Sequence, residues 1–290
     1  MKFDKNTKIL IVGLGLIGGS YAKALSDNGY FVGAIDKKKS SVEYALKNGL
    51  IQVGETSVKK DFVKDFDLIV FALYPHDFIN WIKEYQSSIK SGALITDVTG
   101  VKSFVVENVQ KILRGDLEFV GAHPMAGKEV SGVENADPII FVGANYIVTP
   151  TKKNTDENVQ AVKDLGHALG FERISSLSPE EHDETVGFLS HLTHCIAVSL
   201  MVSKKSHHLA EYTGDSFRDL TRIAKINDEM WSELFLANKD ELLKQMDLFE
   251  EKFNQLKEDI KNDNREKIRE TLRESTARRK VFDKDAKETK

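Results

Sequence analysis

The sequence predicts an α/β protein in which a parallel-sheet domain is followed by an all-α domain. Three observations carry that expectation. Through residue 175, short runs of Ile, Val, Leu and Phe alternate with helical stretches. Strands that are apolar throughout belong in a sheet covered on both faces, as parallel sheets are. A glycine-rich turn joins the first apolar run to the first helical stretch, and beyond residue 175 every long segment repeats its apolar residues at helical spacing.

In order, residues 8–12 form a buried strand, 20–27 a helix, 31–35 a second strand and 40–47 a second helix ending near Gly49. Residues 68–73 and 93–97 are further apolar runs, 119–122 and 146–148 additional strands, and 171–174 the last strand. Ser178-Pro179-Glu180-Glu181 starts a helix on three agreeing signals: serine caps, proline suits the first helical position, and Glu181 completes a capping box. Leu242, Met246, Phe249, Phe253, Leu256 and Ile260 recur at steps of three and four and make one apolar stripe. A charged helix covers 264–283. So long a stripe on few helices finds little cover within one subunit, which predicts a homodimer paired through the C-terminal helices.

The 290 residues carry a formal net charge of −4, with 41% hydrophobic and 30% charged residues. That profile belongs to a globular chain and argues against a general affinity for nucleic acid, which favours clustered positive charge. The short basic run Lys37-Lys38-Lys39 reads as a solvated loop. One cysteine, Cys195, forms no internal disulfide and suits a reducing compartment. Residues 9–17 are too short and glycine-broken for a signal-peptide core or a membrane span. A cytoplasmic location, with neither nucleic acid nor membrane as partner, is the expectation.

Gly13-Leu14-Gly15-Leu16-Ile17-Gly18 fits G-x-G-x-x-G, follows a strand and opens a helix. Gly13 permits the tight turn, Gly15 lets backbone approach a pyrophosphate, and Gly18 lets the helix pack close to the sheet. Leu16 and Ile17 lie in the turn, and the helix N-terminus that follows it offers free N–H groups to phosphates. Asp36, at the end of the second strand, sits where a carboxylate accepts both ribose hydroxyls of NAD and repels a 2′-phosphate. The alternative for Asp36 is a plain strand-end turn residue. The predicted division is therefore a dinucleotide-binding (Rossmann-like) domain at 1–175 and a helical substrate and dimerisation domain at 176–290. A Walker-type phosphate loop is excluded, because Gly127-Lys128 is followed by Glu129 rather than Ser or Thr.

Three polar clusters lie downstream. His123 follows a strand end, where a neutral imidazole can take a proton from a substrate hydroxyl; a structural loop histidine is the alternative. His191 and His194 share nearby helix faces; metal ligation is disfavoured, since no third ligand is identifiable and the usual zinc patterns are absent, packing accounts for one of the two, and no metal site is expected. Arg222 sits among small and apolar neighbours, so an anionic partner is expected, either Asp219 or a ligand carboxylate, with a structural salt bridge as the alternative.

Taken together, GLGLIGGS (13–20), DVTGVK (97–102), HPMAG (123–127), SHLTH (190–194) and FRDLTRIA (217–224) with Trp231 resemble the prephenate/arogenate dehydrogenase family. The resemblance implies NAD as cofactor and prephenate or arogenate as substrate, oxidised and decarboxylated on the route to tyrosine. It implies His123 as the catalytic histidine at the ring C4 hydroxyl and Arg222 as the holder of a substrate carboxylate. His194 would lie near the substrate side chain, Glu129 at the pocket mouth and Trp231 near the partner subunit's site. One position departs from the family: Gly100 stands where the family often carries a serine that orients the catalytic histidine, and Thr99 is the adjacent hydroxyl. No regulatory ACT domain follows the helices, so feedback control by such a domain is not expected. Two other readings remain: a β-hydroxyacid dehydrogenase using a helix lysine such as Lys225 or Lys239, and an NAD(H)-sensing binding protein with no chemistry.

Overall fold

The computed structural model describes residues 1–205 and 208–282, which fall into two compact units divided between Lys239 and Asp240. The first unit begins with alternating strands and helices: β1 Lys8–Val12, α1 Leu16–Asp27, β2 Phe31–Ile35, α2 Lys39–Lys47, β3 Val53–Glu55, α3 Lys60–Val63, β4 Leu68–Phe71, α4 Pro75–Tyr85, β5 Leu94–Asp97, α5 Ser103–Ile112 and β6 Glu118–Phe119. These six strands form one sheet in the order β3-β2-β1-β4-β5-β6, parallel throughout. The order reverses between β1 and β4, the switch point at which doubly wound sheets bind dinucleotides. The apolar runs work as expected: Ile9 and Ile11 enter one core, and Leu10 and Val12 the core on the opposite face.

A second, three-stranded sheet follows, from β7 Gly121–Pro124, β8 Asn145–Thr149 and β9 Arg173–Ser176, with α6 Asp156–Ala168 between the last two. The single strand expected at 119–122 is therefore two. Val120 N–H still donates to Ile95 of β5 at 3.0 Å. The Ala122 N–H donates instead to the Asp97 side chain at 3.1 Å, and the chain peels away to pair antiparallel with β8. Gly121 suits the break, since a Cβ there would stand 2.5 Å from the Thr149 hydroxyl. The last strand also lies later than the expected 171–174, because Phe171 is spent on the core against Phe141 and Tyr146.

Among the described residues, every element after β9 is helical: α7 Pro179–Val186, a π-turn at Gly187–Leu192, α8 Thr193–Val202, α9 Asp215–Thr221 and α10 Asp228–Ala237 come first. The capping box is present: Glu181 N–H donates to the Ser178 hydroxyl at 3.1 Å, and Ser178 N–H to the Glu181 carboxylate at 2.8 Å. The run Pro179–Val202 is long and apolar enough to cross a membrane by composition alone. Its inner face carries buried His182, Asp183 and His191, all hydrogen-bonded to protein, which suits a domain helix.

The second unit holds most of α11 Lys239–Lys261, with α12 Arg265–Arg279 after it. Of the expected stripe, Met246, Phe249, Phe253 and Ile260 are 38%, 40%, 58% and 59% exposed. The charged helix expected over 264–283 is α12, and Asp283 lies outside the described residues.

Candidate active site

The glycine turn closes β1 against β4. Gly13 has φ +98°, and a Cβ on it would stand 2.4 Å from the Ala72 carbonyl oxygen. A Cβ on Gly18 would stand 2.0 Å from the Gly13 carbonyl oxygen, so α1 packs onto the turn itself. Gly15 differs: it is exposed, and a Cβ there meets nothing within 4 Å. That open space lies at the N-terminus of α1, which has no side-chain cap and no acidic residue in its first turn. The uncapped N–H groups of Leu16 and Ile17 thus keep their capacity for an anion. Asp36 braces the turn: one carboxylate oxygen accepts the Leu14 N–H at 2.6 Å, the other the Lys38 N–H at 2.7 Å. These residues fit a dinucleotide, with room for its pyrophosphate over Gly15 and a carboxylate beside the ribose position.

At the carboxyl end of β5, Asp97 is fully buried and gathers the loop that follows it. Its carboxylate accepts the Thr99 N–H at 3.0 Å, the Lys102 ammonium at 2.6 Å and, on the other oxygen, the Ala122 N–H at 3.1 Å. The Thr99 hydroxyl also bonds Asp97 and takes the Lys102 ammonium at 3.0 Å. Burial lowers the Lys102 pKa and Asp97 pulls against that shift. Thr99 is thereby committed to Asp97 and Lys102 and has no hydrogen bond to His123. Gly100 does adjoin His123, and a Cβ there would lie 3.9 Å from His123 Cε1.

His123 projects from β7, half-buried. Its Nδ1 lies 2.9 Å from His182 Nε2, and His182 Nδ1 lies 2.8 Å from the Asp183 carboxylate. Both partners come from the second turn of α7, set inward by the capping box. Asp183 also accepts the Lys102 and Ser103 N–H groups, each at 2.8 Å, which ties α7 to the start of α5. Burial holds the His123 pKa well below its ordinary value, and the nearby His182, Lys102 and His191 push the same way. The sequence reading missed His182 and Asp183. The available signal was a histidine–aspartate pair on the face that Val186 and Gly187 also bury.

The π-turn turns His191 inward, where its ring meets the Asn238 side chain at 3.2 Å and burial lowers its pKa to about 4. His194 donates from Nδ1 to the Ser190 carbonyl at 2.8 Å and stacks on Trp231 of the same chain, ring centroids 3.7 Å apart. Arg222 is not enclosed as its apolar neighbours suggested: its side chain is 63% exposed. Its anionic partner is Glu129, six residues past His123, and not Asp219. Asp219 is exposed on α9 and has no ion pair or hydrogen bond among the described residues. Glu129 and Arg222 both act electrostatically on His194, so these three share one neighbourhood. Lys225 and Lys239, the lysines considered for a β-hydroxyacid dehydrogenase, are both exposed.

A switch-point glycine turn with Asp36 at the end of the next strand, and a histidine at the neighbouring strand ends, mark an NAD-dependent oxidoreductase. The profile described as "Prephenate dehydrogenase, nucleotide-binding domain" matches residues 21–173, and "Prephenate dehydrogenase, dimerization domain" matches 178–274. The chain belongs to the prephenate dehydrogenase family. It is 35% identical to the prephenate dehydrogenase of Bacillus subtilis over 249 residues, covering 82% of this chain and 66% of that one. It is 32% identical to the Lactococcus lactis prephenate dehydrogenase, covering 86% and 70%. The crystal structure of the A. aeolicus prephenate dehydrogenase with hydroxyphenyl propionate and NAD+ superposes with a TM-score of 0.87 at 34% identity, covering 96% of this chain and 98% of that one.

Because the Asp97–Lys102 pair is fully buried, Lys102→Met leaves an unpaired carboxylate and should cost about 3–5 kcal/mol of stability. Urea denaturation measures it; a loss under about 1 kcal/mol would mean the pair does not brace the loop.

Proposed function

We propose that this chain oxidises and decarboxylates prephenate with NAD, yielding 4-hydroxyphenylpyruvate, CO2 and NADH in tyrosine biosynthesis. The observation that carries the proposal is the His123 ring, anchored through Nδ1 beside the nucleotide-binding sheet, in a chain of this family. Arogenate, with an amine in place of the side-chain keto group, is the alternative substrate.

NAD, when bound, would supply the hydride acceptor, and Gly15, Leu16, Ile17 and Asp36 are the residues that would hold it. His123 takes the C4 hydroxyl proton on Nε2 as the C4–H bond yields its hydride and C4 becomes a carbonyl. The ring C1–carboxylate bond then breaks, and its electron pair flows through the ring to the C4 oxygen. That oxygen recovers the proton from His123, giving the phenol, and aromaticity drives the sequence forward. Arg222 holds a substrate carboxylate. Its pair with Glu129 is largely solvent-exposed, so an incoming carboxylate displaces Glu129 at little cost. His194, fixed by Ser190 and Trp231, presents Nε2 toward the substrate side chain, with Glu129 at the mouth of the pocket.

The functional division stays at residue 175: the segment before it serves the dinucleotide, and the segment after it serves substrate and subunit pairing. The exposed stripe on α11 and the dimerization-domain match support a homodimer through the C-terminal helices. The lone, half-buried Cys195 suits the cytoplasm.

His123→Asn should lower kcat by about two to four orders of magnitude with little change in KM, followed as NADH absorbance with prephenate and arogenate side by side. Normal turnover would remove His123 from the chemistry. Asp36→Ala should raise the KM for NAD far more than that for prephenate; equal effects would contradict its place at the ribose. Sedimentation at micromolar concentration should give a dimer, and a monomer there would end the pairing proposal.

A further inference from the structure

The hydrogen bonds around His123 have a direction. The Asp183 carboxylate accepts two backbone N–H groups, from Lys102 and Ser103, and its pKa is lowered. It is an acceptor only, so the proton between it and His182 sits on His182 Nδ1. Neutral His182 then offers a lone pair at Nε2. The His123 Nδ1, 2.9 Å away, must be the donor. His182 is His123's hydrogen-bonding partner among the described residues. Thr99 is turned to Asp97 and Lys102, and Gly100 has no hydroxyl to give.

We infer that His182, oriented by Asp183, is the positioning residue that fixes His123 in the Nδ1–H form and leaves Nε2 bare for the substrate hydroxyl. The inference rests on the reading of His123 as the base. It assigns His182 the orienting task that the resemblance gives to a serine at position 100. The relay keeps this direction only while His182 is neutral. An imidazolium at 182 would donate from Nε2, reverse the bond and place the His123 proton on its own Nε2. The groups around His182 and His123 are Asp183 on α7, Lys102 and Asp97 from β5 and its loop, and His191 from the π-turn. Burial and Lys102 oppose protonation of His182, and Asp183 and Asp97 favour it; the net direction is downward. Activity should therefore hold through neutral pH and fail only on the acid side of the ordinary histidine value of 6.5.

The test compares His182→Leu with His182→Gln. Leucine fills the site but accepts no hydrogen bond. Glutamine can donate from its amide to Asp183 and accept from His123 on its oxygen, copying the direction of neutral histidine. His182→Leu should lower kcat roughly 10- to 100-fold, with KM values for NAD and prephenate within about twofold. His182→Gln should recover most of the loss. Long-range 15N spectra of histidine-labelled protein at neutral pH should report His123 as Nδ1–H in the native chain and His182→Gln, and as mixed tautomers in His182→Leu. Native turnover in His182→Leu overturns the inference, as does a slow His182→Leu enzyme whose His123 stays Nδ1–H. Should His182→Leu not fold, an Nε2–H signal for His123 in the native chain overturns it alone. His123→Asn separates the two claims: normal turnover there defeats the base itself, whereas an inactive His123→Asn beside a fully active His182→Leu defeats only the relay.

Discussion

The buried carboxylate of Asp97 is the constraint on which the rest of the site depends. A charge at the end of a parallel strand, out of contact with water, is tolerable only when several donors converge on it. Here the donors are the Thr99 N–H, the Lys102 ammonium and the Ala122 N–H, with the Thr99 hydroxyl alongside. Each donor has a structural consequence. Thr99 and Lys102 fold the loop after β5 back on itself and deliver the Lys102 and Ser103 N–H groups to Asp183. Ala122 breaks the first sheet and starts the second, which sets His123 on β7 facing His182. Desolvation of one carboxylate thus organises both halves of the proton-handling apparatus.

The parallel sheet, the glycine turn, the capping box and the apolar stripe of α11 were legible because each is written in local spacing. Period-two and period-3.6 patterns survive in a linear reading, as do the glycine spacing of the turn and Ser178, whose capping partner Glu181 lies three residues on. What was not legible involves partners far apart in sequence. The expected strand at 119–122 is broken by a side chain 25 residues upstream of Ala122, and no local pattern announces that. For Arg222 the sequence offers Asp219 nearby or a ligand carboxylate, whereas its partner within the chain is Glu129, 93 residues away. His182 and Asp183 looked like ordinary polar residues after a helix cap, and only the approach of β7 and the start of α5 to α7 gives them partners. Thr99 is the hydroxyl next to the missing serine's position, and the demand of buried Asp97 for donors, invisible in the local sequence, claims it.

The site divides by stiffness, and the division matches what the chemistry requires. Asp97, Lys102, His182 and Asp183 are buried and multiply bonded, and the His123 ring is anchored to them. Removing any one partner leaves a polar group stranded in a dry interior, so this part has one arrangement. Proton transfer timed to hydride departure needs such fixed alignment, because small errors in geometry cost large factors in rate. Glu129, Arg222 and Asp219 are exposed, and the Glu129–Arg222 pair lies where water screens it, as weak surface ion pairs do. In the proposed reaction, a dianionic substrate would replace Glu129 without the cost of breaking a buried ion pair. Had Arg222 been enclosed with a carboxylate of its own, that partner would have competed with substrate on equal terms. In the proposed mechanism, the charge that would capture the substrate is therefore left at the surface, while the imidazole that would take its proton is sunk among bonds that allow one orientation.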